Sequence, residues 1–273
     1  MILSVRAYFS VLILSAVLFN SCQKNAVTGR RSLNLISNTE MNTMSFTEYD
    51  KFLAEHKPLP DDNAHVILVR KVGSRIQKSV EKYYADKGLS KQLEGFAWTF
   101  NVVNEDVVNA WCMPGGKVVV YTGLLPVTQD EKSLAVVMGH EIAHAIAQHG
   151  NERMSNGLLV QVGGAVLSVA LQSTPQLTHD LFMQSFGLTS QLGMLKYSRH
   201  HESEADKMGI IFAAMAGYDP MAAITFWERM SQAGGGQKPP EILSTHPSDE
   251  IRINDLRGFM KDALPYYEKS QMH

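Results

Sequence analysis

Two histidines stand four residues apart, with a glutamate beside the first, in the run His140-Glu141-Ile142-Ala143-His144. On a helix, residues i and i+4 lie on one face, so both imidazoles can reach one metal ion. Glu141, next to them, is placed to take a proton from a water held at that ion. The chemistry this constellation suits is hydrolysis by a metal-activated water. A catalytic zinc commonly takes three protein ligands and leaves a fourth position open, so one more ligand must come from elsewhere.

The spacing excludes two ways of supplying it. A metzincin needs Gly and then His at the positions held here by Ala147 and Gly150, and a thermolysin-like site needs Glu near position 164, which is Gly. Between His144 and Glu202 the only carboxylates are Glu152, expected too far along its helix to reach back, and Asp180. The densest polar cluster then follows, Ser198-Arg199-His200-His201-Glu202-Ser203-Glu204-Ala205-Asp206. Glu202 and Asp206 share a helix face. One of them can ligate the metal while the other accepts the free N–H of a metal-bound histidine and fixes its tautomer. Glu204 is expected to face solvent, and His200 and His201 to have structural or surface roles.

Helices must carry these groups. Ser37 to Glu40 has capping-box spacing, and apolar residues from Val66 to Tyr83 recur at helical intervals. Segments 96–102, 107–113 and 117–122 are rich in aromatic and β-branched residues and predict strands, with Pro114-Gly115-Gly116 as a turn. Thr128 to Glu131 predicts a second capping box, opening a helix with Leu134, Val137, Met138, Ile142 and Ala145 on one side. Helices are expected over 152–172 and 177–196, over Arg199 to Met215, after Asp219-Pro220, and from His246-Pro247 to about Leu264. Gly234 to Pro240 reads as a flexible loop.

With 273 residues, 45% hydrophobic and 19% charged, the chain has material for a packed core. A net charge of −2 shows no basic excess, so no nucleic-acid partner is expected. Two cysteines exclude a disulfide scaffold and a four-cysteine zinc site. Arg6 followed by an apolar run from Ala7 to Phe19 predicts an export signal, too short to span a bilayer. Ser21-Cys22 resembles the bacterial lipoprotein cleavage box, which implies acylation of Cys22. The expected organisation is a signal peptide at 1–21, a tether at 22–38, one catalytic domain at 39–265 and a tail at 266–273. Cys112 is expected to be a half-buried filler, since no base partner for a thiol nucleophile is implied.

HExxH followed far downstream by Ser198-Arg199-x-x-Glu202-x-x-Ala205-Asp206 resembles the HtpX/Oma family of membrane-associated zinc metallopeptidases, which includes the CAAX prenyl proteases. Asn25-Ala26-Val27-Thr28-Gly29-Arg30-Arg31 is similar to the segment after the lipidated cysteine in its bacterial members. Asn109 to Gly116, Tyr121 to Leu125, and His246-Pro247 with Arg252 resemble further family segments. The resemblance implies one Zn2+ per chain, with His140, His144 and Glu202 as ligands, Asp206 behind them and Glu141 as general base. It brings His246 close to the metal, as a fourth ligand or facing the reacting carbonyl. Arg252 would hold substrate or, preferably, pair with a carboxylate.

The fold expected is α+β and predominantly α-helical, a gluzincin core with a small antiparallel β-sheet edging the cleft. Asn109, Ala110, Trp111, Cys112 and Met113, or the strand from Lys117 to Tyr121, would bind an extended substrate as an added strand. The expected function is a zinc metalloendopeptidase acting on unfolded or misassembled envelope proteins. It would be lipid-anchored and periplasm-facing, at the outer membrane, with envelope assembly machinery as a further partner. The rival reading is an envelope chaperone or assembly factor whose protease activity is latent.

Overall fold

The computed structural model describes residues 22–162, 175–186, 198–234, 240–246 and 250–272. The expected signal peptide, the apolar stretch Leu158 to Leu171 from position 163 onward, the expected helix 177–196 from position 187 onward, most of the Gly234 to Pro240 loop and Pro247 lie outside the described residues. An N-terminal hairpin pairs β1 (Cys22–Lys24) antiparallel with β2 (Arg31–Leu33). Residues 22–33, read above as tether, therefore have structure: Ala26 and Val27 pack against the main core.

Two helices follow, α1 (Asn38–Glu55) and α2 (Ala64–Asp86). Both halves of the expected capping box form at Ser37 and Glu40. The helical periodicity from Val66 to Tyr83 becomes one face of α2, and Val66, Val69, Val72, Ile76 and Val80 are buried in the core. Strands β3 (Thr99–Val103), β4 (Ala110–Met113) and β5 (Lys117–Tyr121) form one sheet in the order β3-β5-β4. The expected antiparallel pairing holds for β4 with β5, whereas β3 runs parallel to β5. The hairpin turn at Gly115 and Gly116, with φ of +78° and +82°, folds β5 back into the centre and leaves β4 at an edge. Such angles suit glycine, which has no Cβ to clash.

After a short α3 (Leu125–Thr128) comes α4 (Glu131–Ile146), which carries the HExxH run. Its N-cap is Asp130, whose carboxylate accepts from Ser133 N at 2.7 Å, and not the Thr128 expected. Thr128 instead closes α3, bonding Leu125 O. Every residue from Ser133 to Ile146 is buried, so α4 is a central helix and not a one-sided amphipathic one. That is why its sequence is apolar all round, apart from the groups with chemistry to do.

The chain continues through α5 (His149–Val162), α6 (Pro175–Ser185), α7 (Arg199–Met215), α8 (Ala222–Gly234), α9 (Ile242–Thr245) and α10 (Glu250–Ser270). The last helix runs past Leu264 and Pro265 into the segment read as a tail. Ser198 caps α7 through a bond from His201 N. Helices α4 and α7 cross where Gly139 meets Gly209: a Cβ built on Gly139 would lie 2.8 Å from Gly209 O. Two side-chain-free positions let the backbones touch, and this brings the carboxylates of α7 within reach of the histidines of α4. Among the described residues, no helix is long and apolar enough to cross a membrane.

Candidate metal centre

Helix α4 presents His140 and His144 one turn apart, with Nε2 atoms 3.0 Å from each other. Glu202, in the first turn of α7, places Oε1 3.4 Å from His144 Nε2 and Oε2 3.4 Å from His140 Nε2. His246, the C-cap of α9, brings Nδ1 to 3.1 Å from His140 Nε2 and 2.9 Å from Glu202 Oε1. The four side chains converge on one point and all are buried.

The donor set fits zinc. Ligands at about 2.0–2.1 Å in a tetrahedron stand about 3.3–3.4 Å apart, close to the separations just given. The outer nitrogens agree with this. His140 Nδ1 lies 2.8 Å from Asp206 Oδ1, and His144 Nδ1 lies 2.8 Å from His149 Nδ1. Each Nδ1 thus has a partner, and with the ring protons on these outer nitrogens the two Nε2 lone pairs would face one another. Facing lone pairs repel unless a cation lies between them.

Asp206 is held in turn by Arg252 of α10, whose Nε and Nη2 donate to its two oxygens at 2.7 Å each. The guanidinium lies over the Trp227 ring at 3.4 Å, and its Nη1 donates to His246 O at 3.3 Å. Arg252 therefore pairs with carboxylates, the preferred expectation. Burial would raise the Asp206 carboxyl, but Arg252 and His140 outweigh it and hold it below the ordinary range. Glu202 behaves likewise: burial opposes ionisation, while His246, His140 and His144 keep its carboxyl well below the usual value.

Glu141 differs. Burial pushes its carboxyl pKa up, against the pull of His246 and His140. Its Oε1 is buried, has no hydrogen-bond partner among the described residues, and lies 3.6 Å from His246 Nε2. Cys112 on β4 is buried, and burial with the nearby Glu141 pushes its thiol well above its ordinary pKa, so it stays a neutral filler. Asn109 precedes β4 and donates nothing to the cluster; its Oδ1 accepts from Ala110 N at 2.9 Å. Ala110, Trp111, Cys112 and Met113 form β4 itself, the sheet's edge beside α4. Of the two strands expected to bind an extended chain, only β4 is an edge, since β5 is central.

Glu204 corrects the reading of it as solvent-facing. It is buried, accepting from Thr28 Oγ1, from Arg30 Nε and, at 3.0 Å, from His149 Nε2. Local spacing placed it opposite Glu202 and Asp206; the N-terminal hairpin covers that side. His149 stands one residue short of the position that a metzincin ligand would take. Gln148, at φ +57°, breaks the path between α4 and α5 and turns His149 back against His144. Glu152 does not reach the cluster and binds Arg30 and His201. His200 is exposed, as expected.

A buried HExxH helix joined by a glutamate from a later helix, with a small sheet alongside, defines a gluzincin-like zinc metallopeptidase core. The sequence profile of peptidase family M48 matches residues 71–260, and the chain belongs to that family. It is 36% identical over 200 residues to the mitochondrial metalloendopeptidase OMA1 of Arabidopsis thaliana, covering 72% of this chain and 39% of that protein. Identity to the OMA1 of Schizosaccharomyces pombe is 32% over 250 residues, 90% of this chain and 69% of that protein. With the beta-barrel assembly-enhancing protease of Escherichia coli O157:H7 it is 34% over 176 residues, 63% of this chain and 36% of that protein. The chain thus spans well under half of two of these relatives.

Proposed function

We propose that the chain is a zinc-dependent metalloendopeptidase hydrolysing internal peptide bonds, with Glu141 as general base and His140, His144 and Glu202 as ligands. The observation that carries this is Glu141 itself: a buried carboxylate whose Oε1 has no partner among the described residues, beside four side chains that could hold a metal ion. A purely structural zinc site has no use for such a group. Zinc, when bound, polarises the scissile carbonyl and lowers the pKa of a water toward about 7. Glu141 Oε1 takes the proton from that water and passes it to the leaving amine. Its raised carboxyl pKa suits a group that must hold a proton between the two transfers. Asp206 keeps His140 in the tautomer with Nδ1 protonated, freeing Nε2 for ligation. As the edge strand of the described sheet, β4 pairs with an extended backbone, which favours unfolded or loop substrates over folded ones.

The glutamine variant tests the base. Glu141→Gln keeps shape and zinc but cannot accept the proton, so casein cleavage should fall to background while zinc content stays near one per chain. Substantial residual cleavage would remove Glu141 from this role.

His246 occupies the fourth ligand direction in this arrangement, which supports the latent-protease reading. We infer that it withdraws when substrate enters. His246→Ala should then raise basal cleavage of an unfolded substrate with zinc retained, and a loss of cleavage would assign it to the transition state instead. The natural substrates we propose are unfolded or misassembled envelope proteins, and the name of the E. coli relative supports an envelope setting with assembly machinery as partner. Lipid attachment at Cys22, on the outer membrane and facing the periplasm, would place the hairpin between anchor and body. Cys22→Ala should move the protein out of the membrane fraction; unchanged acyl labelling would refute the anchor.

A further inference from the structure

Two buried groups have no part in the hydrolysis just described, His149 and Glu204. They form a chain that starts at a metal ligand and ends in the N-terminal hairpin. His149 Nε2 lies 3.0 Å from Glu204 Oε2, and a carboxylate only accepts, so the His149 proton sits on Nε2. His144, to ligate through Nε2, must carry its own proton on Nδ1. The 2.8 Å contact between the two Nδ1 atoms is then a hydrogen bond donated by His144 and accepted by His149. The opposite direction would put a proton on His144 Nε2, where the lone pair is needed.

Glu204 does not hold this arrangement alone. Thr28 Oγ1 donates to its Oε1 and Arg30 Nε to its Oε2. The rest of the Arg30 guanidinium binds Glu152 with Nη1 and Nη2 at 2.9 and 2.7 Å. Thr28 and Arg30 sit in the tip between β1 and β2, and the tip is itself tightly built. Asn25 Oδ1 accepts from Val27 N at 2.8 Å and Thr28 N at 3.1 Å. Gly29, at φ +75°, closes the turn with a 3.0 Å bond to Asn25 O.

We propose that the N-terminal hairpin is a working part of the metal site. Thr28 and Arg30 hold Glu204, Glu204 sets the tautomer of His149, and His149 orients the ligand His144. His149 and Glu204 are thus positioning residues. The inference rests on reading the histidine–glutamate cluster as a zinc site, but not on which residue is the base.

The test uses the full chain loaded with zinc, and separately with Co(II), whose visible d–d absorption reports ligand geometry without any turnover. His149→Phe and Glu204→Gln should each weaken zinc binding about tenfold in chelator competition and change the Co(II) spectrum. Arg30→Met and Thr28→Val, on the hairpin, should move both readouts in the same direction by a smaller factor, about two- to fivefold. Arg31→Ala, an exposed change on the same hairpin, should move neither. Thr28→Val removes one hydroxyl at nearly constant shape and serves if the larger changes fail to fold. The proposal is overturned if the folded variants lower only the melting temperature, with zinc affinity within twofold and the Co(II) spectrum unchanged. Failure of the zinc reading would appear differently, as no stoichiometric metal in the unmodified chain.

Discussion

The two imidazoles of α4 are held from opposite ends of the chain. His140 is served by one carboxylate in one step, Asp206 at 2.8 Å, clamped by Arg252 of the C-terminal helix. His144 is served in two steps, through the ring of His149 to Glu204, clamped by Arg30 of the N-terminal hairpin. Both arms end in an arginine on a carboxylate from α7. They differ in length and exposure: the Arg252 side chain is 5% exposed and sandwiched against Trp227, while Arg30 is 28% exposed. An ion pair nearer water contributes less, and an arm with an extra joint restrains its ligand less firmly. The comparison teaches that two histidines equivalent in the HExxH pattern are unequal in support, and that the weaker support is the one closest to the expected lipid anchor.

The largest break comes from the group both imidazoles share. Glu202→Ala should lose zinc affinity well beyond the ~10–100-fold expected for an outer partner, and with it all cleavage; equilibrium dialysis measures this. If Glu202→Ala bound zinc normally, Glu202 would not be the third ligand. Next comes the short arm. Asp206→Asn keeps an acceptor for His140 but removes the charge opposite Arg252, and should weaken zinc by about 10–100-fold, more than Glu204→Gln does. The reverse order in chelator competition would invert the comparison.

The smallest effect concerns the outer end of the long arm and is read in acid. Burial alone would raise the Glu152 carboxyl, but hydrogen bonds from His201 and Arg30 hold it at about 2, against an ordinary 4.5. A carboxyl whose folded pKa is depressed stabilises the fold above its unfolded pKa and loses that contribution as pH falls through the folded one. The window therefore runs from about pH 4.5 down to about pH 2. Glu152→Gln should cost about 1–2 kcal/mol at neutral pH and show a flatter fall in melting temperature across that window. A parallel acid profile for both proteins would show that the pair adds no stability.

Much of the metal centre was legible because helical periodicity is a local rule. Residues four apart share a face whatever surrounds the helix, so His140 with His144, and Glu202 with Asp206, were readable as pairs. The cap at Ser37 was readable for the same reason, since a cap joins residues three apart. The resemblance to a known family then chose Glu202 over Asp206 as ligand, a choice the spacing had left open.

What local rules could not supply is which surface lies opposite each face. Glu204 looked solvent-facing because its helix face is opposite the ligands, and only the hairpin packed there makes it buried. Helix α4 looked one-sided because its apolar residues were counted against a single core, while the fold surrounds it. The edge position of β4 depended on β5 running parallel to β3, a pairing between strands whose sequences carry no mark of direction. The sequence by itself determined the helical periodicities and the faces that pair His140 with His144 and Glu202 with Asp206. Tertiary structure alone decided how closely α4 and α7 meet at Gly139 and Gly209, and which distant residue fills each remaining hydrogen bond. The physical reason is that periodicity arises from backbone geometry within one turn, whereas buried polar partners are assigned by packing between segments far apart in the chain.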